Sequence, residues 1–203
     1  MTSTSCDEPA VVAWGWAGSA LEVRSGDRHV VALFPGGALV ALIDGLGHGP
    51  EAAEAALAAA LVLEAHAGEP VADLVRRCHE ALRKTRGAVM TVASFRAAEA
   101  AMTWIGIGNV DGVVVRSDGQ PAAGIAVRGG VVGYQLPALR TTTVSVARGD
   151  TLIMVTDGID SRFTAGLSVD CDPAQLAELL LARFAKGSDD AHVVVARYLG
   201  QPA

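Results

Sequence analysis

Val40-Ala41-Leu42-Ile43-Asp44-Gly45-Leu46-Gly47-His48-Gly49-Pro50-Glu51-Ala52-Ala53-Glu54 is the stretch on which the reading of this chain turns. Four apolar residues read as a buried strand that runs out at Asp44-Gly45. Pro50 suits a first helical position, Glu51 and Glu54 are acids near the helix start, and an Ala- and Leu-rich run continues until Gly68 can stop it. The stretch is therefore a strand, a glycine-rich loop and a long helix.

Asp-Gly alone signals a hairpin. It occurs again where Ile153-Met154-Val155-Thr156 runs into Asp157-Gly158. Neither copy leads into an alternating return strand: the first enters the glycine loop, and the second is followed by Ile159-Asp160-Ser161. A third acidic pair, Asp189-Asp190, precedes an apolar closing strand, and Asp27 follows Ser25-Gly26 between two early strands.

Upstream, the pattern predicts strands at Val11 to Trp16, Ala20 to Val23, His29 to Phe34 and Ala38 to Ile43, with Pro35-Gly36-Gly37 as a turn. Downstream, Val71, Leu74, Val75, Cys78 and Leu82 recur at helical spacing against Asp73, Arg76, Arg77, Glu80 and Arg83, with Gly87 beyond the end. Strands follow at Val89 to Phe95, Met102 to Ile107, Gly112 to Val115, Thr142 to Val146 and Thr151 to Val155. A helix from Pro173 to Ala185 and a strand from His192 to Tyr198 close the chain. The Gly-rich stretch from Asp118 to Pro137 reads as long surface connections. Segregated strands and helices argue for an α+β layered domain with helices covering antiparallel sheets, because a parallel doubly wound fold alternates the two throughout.

The 203 residues, 51% of them hydrophobic, suit one domain spanning 1-203. Net charge is -6 and the sixteen Lys and Arg are scattered, so no nucleic-acid partner is expected. Cys6, Cys78 and Cys171 form neither a zinc ribbon nor a disulfide framework and suit a reducing, cytoplasmic setting. Met1 to Glu8 lacks the basic and apolar parts of a secretory signal. The apolar run Ala55 to Leu63 is far shorter than the roughly 20 residues of a membrane span, so no membrane association is expected.

Carboxylates gathered at strand ends repel one another unless cations neutralise them. An all-oxygen set selects hard ions, magnesium, manganese or calcium, over zinc. Two such ions roughly 3.5 to 4 Å apart can activate a bridging water toward a phosphoryl group. Gly45 leaves its carbonyl open to such an ion. A nucleotide-binding loop fits less well: the glycine spacing is wrong for the dinucleotide fingerprint, no lysine follows, and Asp44 repels phosphate. Ser94 and Ser161 lack the context of a hydrolase nucleophile, and no motif couples them to His79 or His192.

Asp27 in Ser-Gly-Asp, Asp44 in Asp-Gly-Leu-Gly-His-Gly, Asp157 in Thr-Asp-Gly-Ile and Asp189 in Asp-Asp-Ala-His resemble, in order, the motif set of PPM-type (protein phosphatase 2C-like) metal-dependent phosphatases. The likeness runs from about Asp27 to Val195, and the Gly-Leu-Gly-His-Gly form and Ile107-Gly108-Asn109-Val110 resemble the small RsbX-like bacterial members of its RsbU/SpoIIE branch. That resemblance implies an αββα β-sandwich flanked by helices. It also implies a serine/threonine phosphoprotein phosphatase that uses two Mn2+ or Mg2+ and a metal-bridging water on a phosphorylated STAS-domain protein of a stressosome-type module. Asp44 would bridge both metals, with the Gly45 carbonyl on one; Asp157 and Asp189 would complete the second, and Asp27 would sit near the first. The chain departs from the family at Leu46, where animal-type members carry a histidine, which leaves the general acid unassigned. His48 reads first as a loop-packing residue satisfied by backbone. Asn109 replaces an acid that binds a third metal in many bacterial members, with Asp111 as a possible compensation. Arg24 and Arg28 are candidates to orient phosphate, Asp190 to support the metal ligands, and His192 to be structural. The competing reading is a catalytically weak PPM-fold binding module that grips a STAS-like partner.

Overall fold

The central strands are apolar at nearly every position because both of their faces are covered. In the computed structural model, which describes residues 11–201, two antiparallel-dominated sheets face each other and each carries helices on its outer side. Cys6 and the Met1 to Glu8 segment lie outside the described residues. One sheet runs β1 (Val12–Ser19), β11 (Ala191–Tyr198), β10 (Thr151–Val155), β6 (Asp111–Val115) and β7 (Ala123–Gly124). The other runs β2 (Asp27–Phe34), β3 (Gly37–Gly45), β4 (Ala88–Arg96), β5 (Ala101–Ile107) and β8 (Val127–Arg128), with β9 (Thr142–Ser145) also pairing β5. Helices α1 (Pro50–Ala65) and α2 (Val71–Leu82) cover the second sheet, and α3 (Pro173–Phe184) covers the first.

Alternation sorts each strand's side chains between two cores. On β3, Leu39, Ala41 and Ile43 pack under α1 and α2, whereas Ala38, Val40 and Leu42 enter the space between the sheets. On β10 and β11, Leu152, Met154, Val194, Ala196 and Tyr198 meet them there, while Ile153, Val155, Val193 and Val195 pack against Leu176, Ala177 and Leu180 of α3. The α1 contact face is almost all alanine, Ala52, Ala55, Ala56, Ala59 and Ala60. That face lets the helix backbone lie close to the sheet: a methyl group on Gly45 would overlap the Ala52 carbonyl. Gly45 is thus also required by helix packing, a reason the sequence reading did not supply.

The order of elements matches the expectation, with one correction. No strand forms at Ala20 to Val23; β1 instead runs on to Ser19, and residues 21–24 are a bent, exposed loop. The cause is Asp190, whose carboxylate takes the Leu21 N–H (2.8 Å), the Ser25 hydroxyl (3.1 Å) and the Gly26 N–H (2.7 Å), so these groups serve a side chain rather than a ladder. Residues 118–137 are mostly irregular, as expected, but are pinned by β7, by β8, which pairs β5 in parallel, and by buried Ile125 and Val132.

Candidate metal centre

Four strand ends meet at one rim of the sandwich. β2 and β3 pair so that Asp27 and Asp44 are direct cross-strand partners. The end of β10 brings Asp157 to the same rim, and the start of β11 brings Asp189 and Asp190. Close contact fixes this meeting, because a methyl on Gly158 would overlap the Asp190 carbonyl. Among the described residues no three carboxylate, imidazole or thiol side chains already close on one point as metal ligands. Three of the acids, Asp44, Asp157 and Asp189, instead line a cleft of about 440 Å³ together with Asn109, His48, Leu46, Val89 and three glycines, while Asp27 lies on a neighbouring hollow.

Hydrogen bonding distinguishes the five acids. Asp190 is buried and both its oxygens are taken by the loop before β2. Asp27, 8% exposed, accepts at Oδ2 from the Thr156 hydroxyl at 2.7 Å, and that hydroxyl accepts the His192 N–H at 2.9 Å. Asp157 Oδ2 accepts from Asn109 Nδ2 at 2.7 Å, and Asp189 Oδ1 accepts from the Asp190 N–H at 2.8 Å. Asp44 alone among these acids makes no side-chain hydrogen bond within the described residues. Asp27, Asp157 and Asp189 each keep one oxygen free, and Asp44 keeps two. A buried carboxylate without donors is costly, and a set of free oxygens with no nitrogen or sulfur ligand fits a hard divalent cation.

The electrostatics agree with that fit. Burial, reinforced by Asp27, Asp157, Asp189 and Asp190, pushes Asp44 up to about 8. Burial pushes Asp27 up to about 7, against the opposing Thr156 hydrogen bond. Asp157 is raised by burial and then by Asp189. A raised carboxylate stabilises the fold where it is protonated and loses that contribution as pH rises through the folded value. Buried His192, held down to about 3, and His29, also lowered, act oppositely below their unfolded value of 6.5. The window free of that opposition is pH 6.5 to 8. Metal-free protein is expected to melt at progressively lower temperature across it, and magnesium or manganese to raise the melting temperature most at its upper end. Scanning calorimetry in chelator and in metal checks this; a flat profile in chelator contradicts it.

The other sequence-derived residues fall as follows. Asn109 holds Asp157, and Asp111 heads β6 with its own carboxylate on the Gly112 N–H. His48 is not packed into the loop: its side chain is 77% exposed on the cleft wall, with Nδ1 2.7 Å from Glu22 Oε1. Arg24 and Arg28 do not line this cleft. Arg28 borders a second hollow with Asp27, Trp16, His29 and His192, in which His192 stacks on Trp16 and lies 2.9 Å from His29. Lys186 and Arg86 escaped the sequence reading. Lys186 touches the Asp157 carbonyl; Arg86 lies against Gly47 and pairs with Glu51. Neither sits in a motif, so pattern alone carried no signal for them.

Comparison with known proteins gives one family. The model described as Stage II sporulation protein E (SpoIIE) matches residues 35–199. The phosphoserine phosphatase RsbX of Bacillus subtilis (strain 168) is 27% identical over 122 residues, 60% of this chain and 61% of that protein, so the chain matches less than two thirds of that relative. A chain from the structure of the bacterial stressosome, described as a modular system adapted to control secondary messenger signaling, superposes with a TM-score of 0.84 at 27% identity, covering 92% of this chain and 99% of that one. RsbX in complex with magnesium superposes at 0.82 with 20% identity, covering 92% and 95%.

Proposed function

We propose, from the premise that this chain belongs to the Stage II sporulation protein E (SpoIIE) family of protein phosphatase 2C-type domains, that it is a manganese- or magnesium-dependent serine/threonine phosphoprotein phosphatase acting on a phosphorylated STAS-domain protein. The observation that carries the reading is the set of free carboxylate oxygens at one rim of the sandwich, two on Asp44 and one each on Asp157 and Asp189 in the cleft, with one more on Asp27, the cross-strand partner of Asp44. Bound there, two divalent cations would neutralise the acids and supply an activated water for phosphomonoester hydrolysis.

The chain's own residues have separable tasks in this reading. Asp44, with its two free oxygens and the Gly45 carbonyl beside it, would hold the cations. Asp27 adds one oxygen on one side, and Asp157 and Asp189 add theirs on the other. Asn109 fixes the rotamer of Asp157, and Thr156 does the same for Asp27. Asp190, with no oxygen to spare, holds the loop that delivers Asp27. His48, oriented by Glu22, is the one non-carboxylate titratable side chain on the described cleft wall and can carry a proton to the departing serine or threonine oxygen. A phosphoserine substrate is favoured by the likeness to the phosphoserine phosphatase RsbX, and a STAS-domain partner by the likeness to a stressosome chain.

The test is phosphate release from a phosphoserine STAS-domain protein with manganese and with chelator. Release that requires manganese is expected. Binding of that protein without metal-dependent release, at any manganese concentration, favours the binding module instead. No helix among the described residues is long and apolar enough to cross a membrane.

A further inference from the structure

The outward face of β4 changes character along its length. Ala88, Met90 and Val92 pack beneath α1 and α2, and alternation continues the same face as Ser94 and Arg96. There the strand and the first residues of α2, Val71 and Ala72, line a hollow of about 310 Å³ that also touches Thr103, Glu69 and Glu99. It is separate from the metal centre. Ser94 pairs with Leu39, whereas Val89 on the cleft wall pairs with Asp44, so roughly 17 Å of strand lies between the two places.

Three sets of donors converge on this hollow without acceptors. The 12-residue helix α2 has Pro70 at its N-cap and no side-chain cap, and the Val71 and Ala72 N–H groups have no partner among the described residues. Ser94, 4% exposed, keeps a buried hydroxyl with no hydrogen-bond partner. Its cross-strand neighbour Thr103 is engaged instead with the Thr143 hydroxyl at 2.8 Å. A buried donor left unpaired is costly. Arg96 donates Nη2 to the Gly68 carbonyl at 2.6 Å and lies over the Phe34 ring at 4.8 Å, which orients the guanidinium. Among the described residues no carboxylate lies within ion-pairing distance of it, and its other donors are free. A helix N-terminus, a guanidinium and a buried hydroxyl together suit an oxyanion.

The acids at the rim select among oxyanions. Glu69 is held by two hydrogen bonds from Arg77, at 2.7 and 3.0 Å, while Glu99 is exposed and has no ion-pair partner among the described residues. A dianion is repelled by this rim more than a single charge. We infer that the hollow is a second binding site of the protein, for the carboxylate of a small organic acid. Its oxygens accept from the Val71 and Ala72 N–H groups and the Arg96 guanidinium, and the Ser94 hydroxyl donates from the floor. The inference is independent of the phosphatase reading.

The experiment titrates sodium acetate, at constant ionic strength, into the magnesium-loaded full chain and follows amide and Arg96 Nε–H signals by nuclear magnetic resonance. Saturable shifts at Val71, Ala72 and Arg96 are expected, with a Kd on the order of 10 mM or tighter. Acetate held by magnesium at the cleft would instead shift residues around Asp44, so the two events are read separately. Arg96→Met should weaken acetate binding about tenfold, with Arg96→Lys intermediate. Ser94→Ala should weaken it about threefold without lowering the melting temperature of the acetate-free protein, because that hydroxyl bonds nothing there. Inorganic phosphate at pH 8 should bind more weakly than acetate. Absence of saturable shifts at Val71 and Ala72 overturns the inference, leaving a hydrated helix end. Unchanged acetate affinity in Arg96→Met overturns it as well, as does tighter binding of phosphate than of acetate. Should Arg96→Met not fold, unchanged affinity in both Arg96→Lys and Ser94→Ala is the overturning result.

Discussion

Asp44→Asn is expected to lower metal-dependent phosphate release by about a thousandfold or more while the protein stays folded. The argument begins with the oxygens. Among the described residues Asp44 is the one acid at this rim whose carboxylate makes no side-chain hydrogen bond, and Asp27, Asp157 and Asp189 each have one oxygen already engaged. An amide offers one neutral oxygen where the carboxylate offers two charged ones, so in the proposed two-cation site both ions would lose a ligand together. Outer partners of metal ligands typically cost 10- to 100-fold when removed, and a shared ligand should cost more. Stability should move the other way. Asp44 is pushed up to about 8 by burial and like charge, so its ionised form is a burden on the metal-free fold at pH 8. Metal-free Asp44→Asn should melt no lower than metal-free wild type at that pH, and should lose most of the metal-induced rise. Near-normal turnover, or unfolding in chelator, contradicts the assignment.

Gly158→Ala should destabilise the fold by about 3 kcal/mol or more, because overpacking against backbone cannot be relieved by a rotamer change. The added methyl would overlap the Asp190 carbonyl and crowd Ala191 Cα, both at the entry to β11. Moving that entry displaces Asp189, and it also displaces Asp190, whose carboxylate holds Leu21, Ser25 and Gly26. Asp27 should be dislodged in turn, so manganese affinity should fall along with stability. Gly124→Ala provides the control, since a methyl there meets nothing within 4 Å. Urea denaturation and manganese titration of the two variants measure the difference. Equal stability would mean that the Asp157 and Asp189 loops are not held by this contact.

The sequence made the layered α+β fold readable because its signals were local and strong. Asp-Gly ended two apolar strands, Pro50 and the following acids opened a helix, and β-branched runs marked the strands between the two layers. The acidic residues were readable for the same reason, each lying at a strand end. What could not be read depends on direction and distance. Asp189 and Asp190 are adjacent, and only the course of the chain decides that one lines the cleft while the other is buried under the Leu21 to Gly26 loop. Ala20 to Val23 has the composition of a strand, but a side chain remote in sequence claims the donors that pairing would use. Arg28 flanks Asp27 in sequence and borders the same hollow, away from the cleft that Asp44, Asp157 and Asp189 line. Lys186 is brought to Asp157 by long-range pairing alone. His48 differs because its partner, Glu22, belongs to the loop that was misread as a strand.

The two-sided burial of the central strands limits where this architecture can acquire a new partner. β3, β10 and β11 spend both faces on packing, so apart from Asp44 at the cleft and the half-buried Arg197 their side chains are closed to an outside surface. Selectivity between partners must then be encoded in what remains outside: the loops around the cleft, the outward sides of the helices, where Leu57, Leu61 and Leu179 are exposed, and the open edge at Trp14 and Trp16. Diversification of binding can proceed there by changing side chains on parts that carry little of the interior. The chemistry at the strand ends is thereby insulated from the evolution of its clientele.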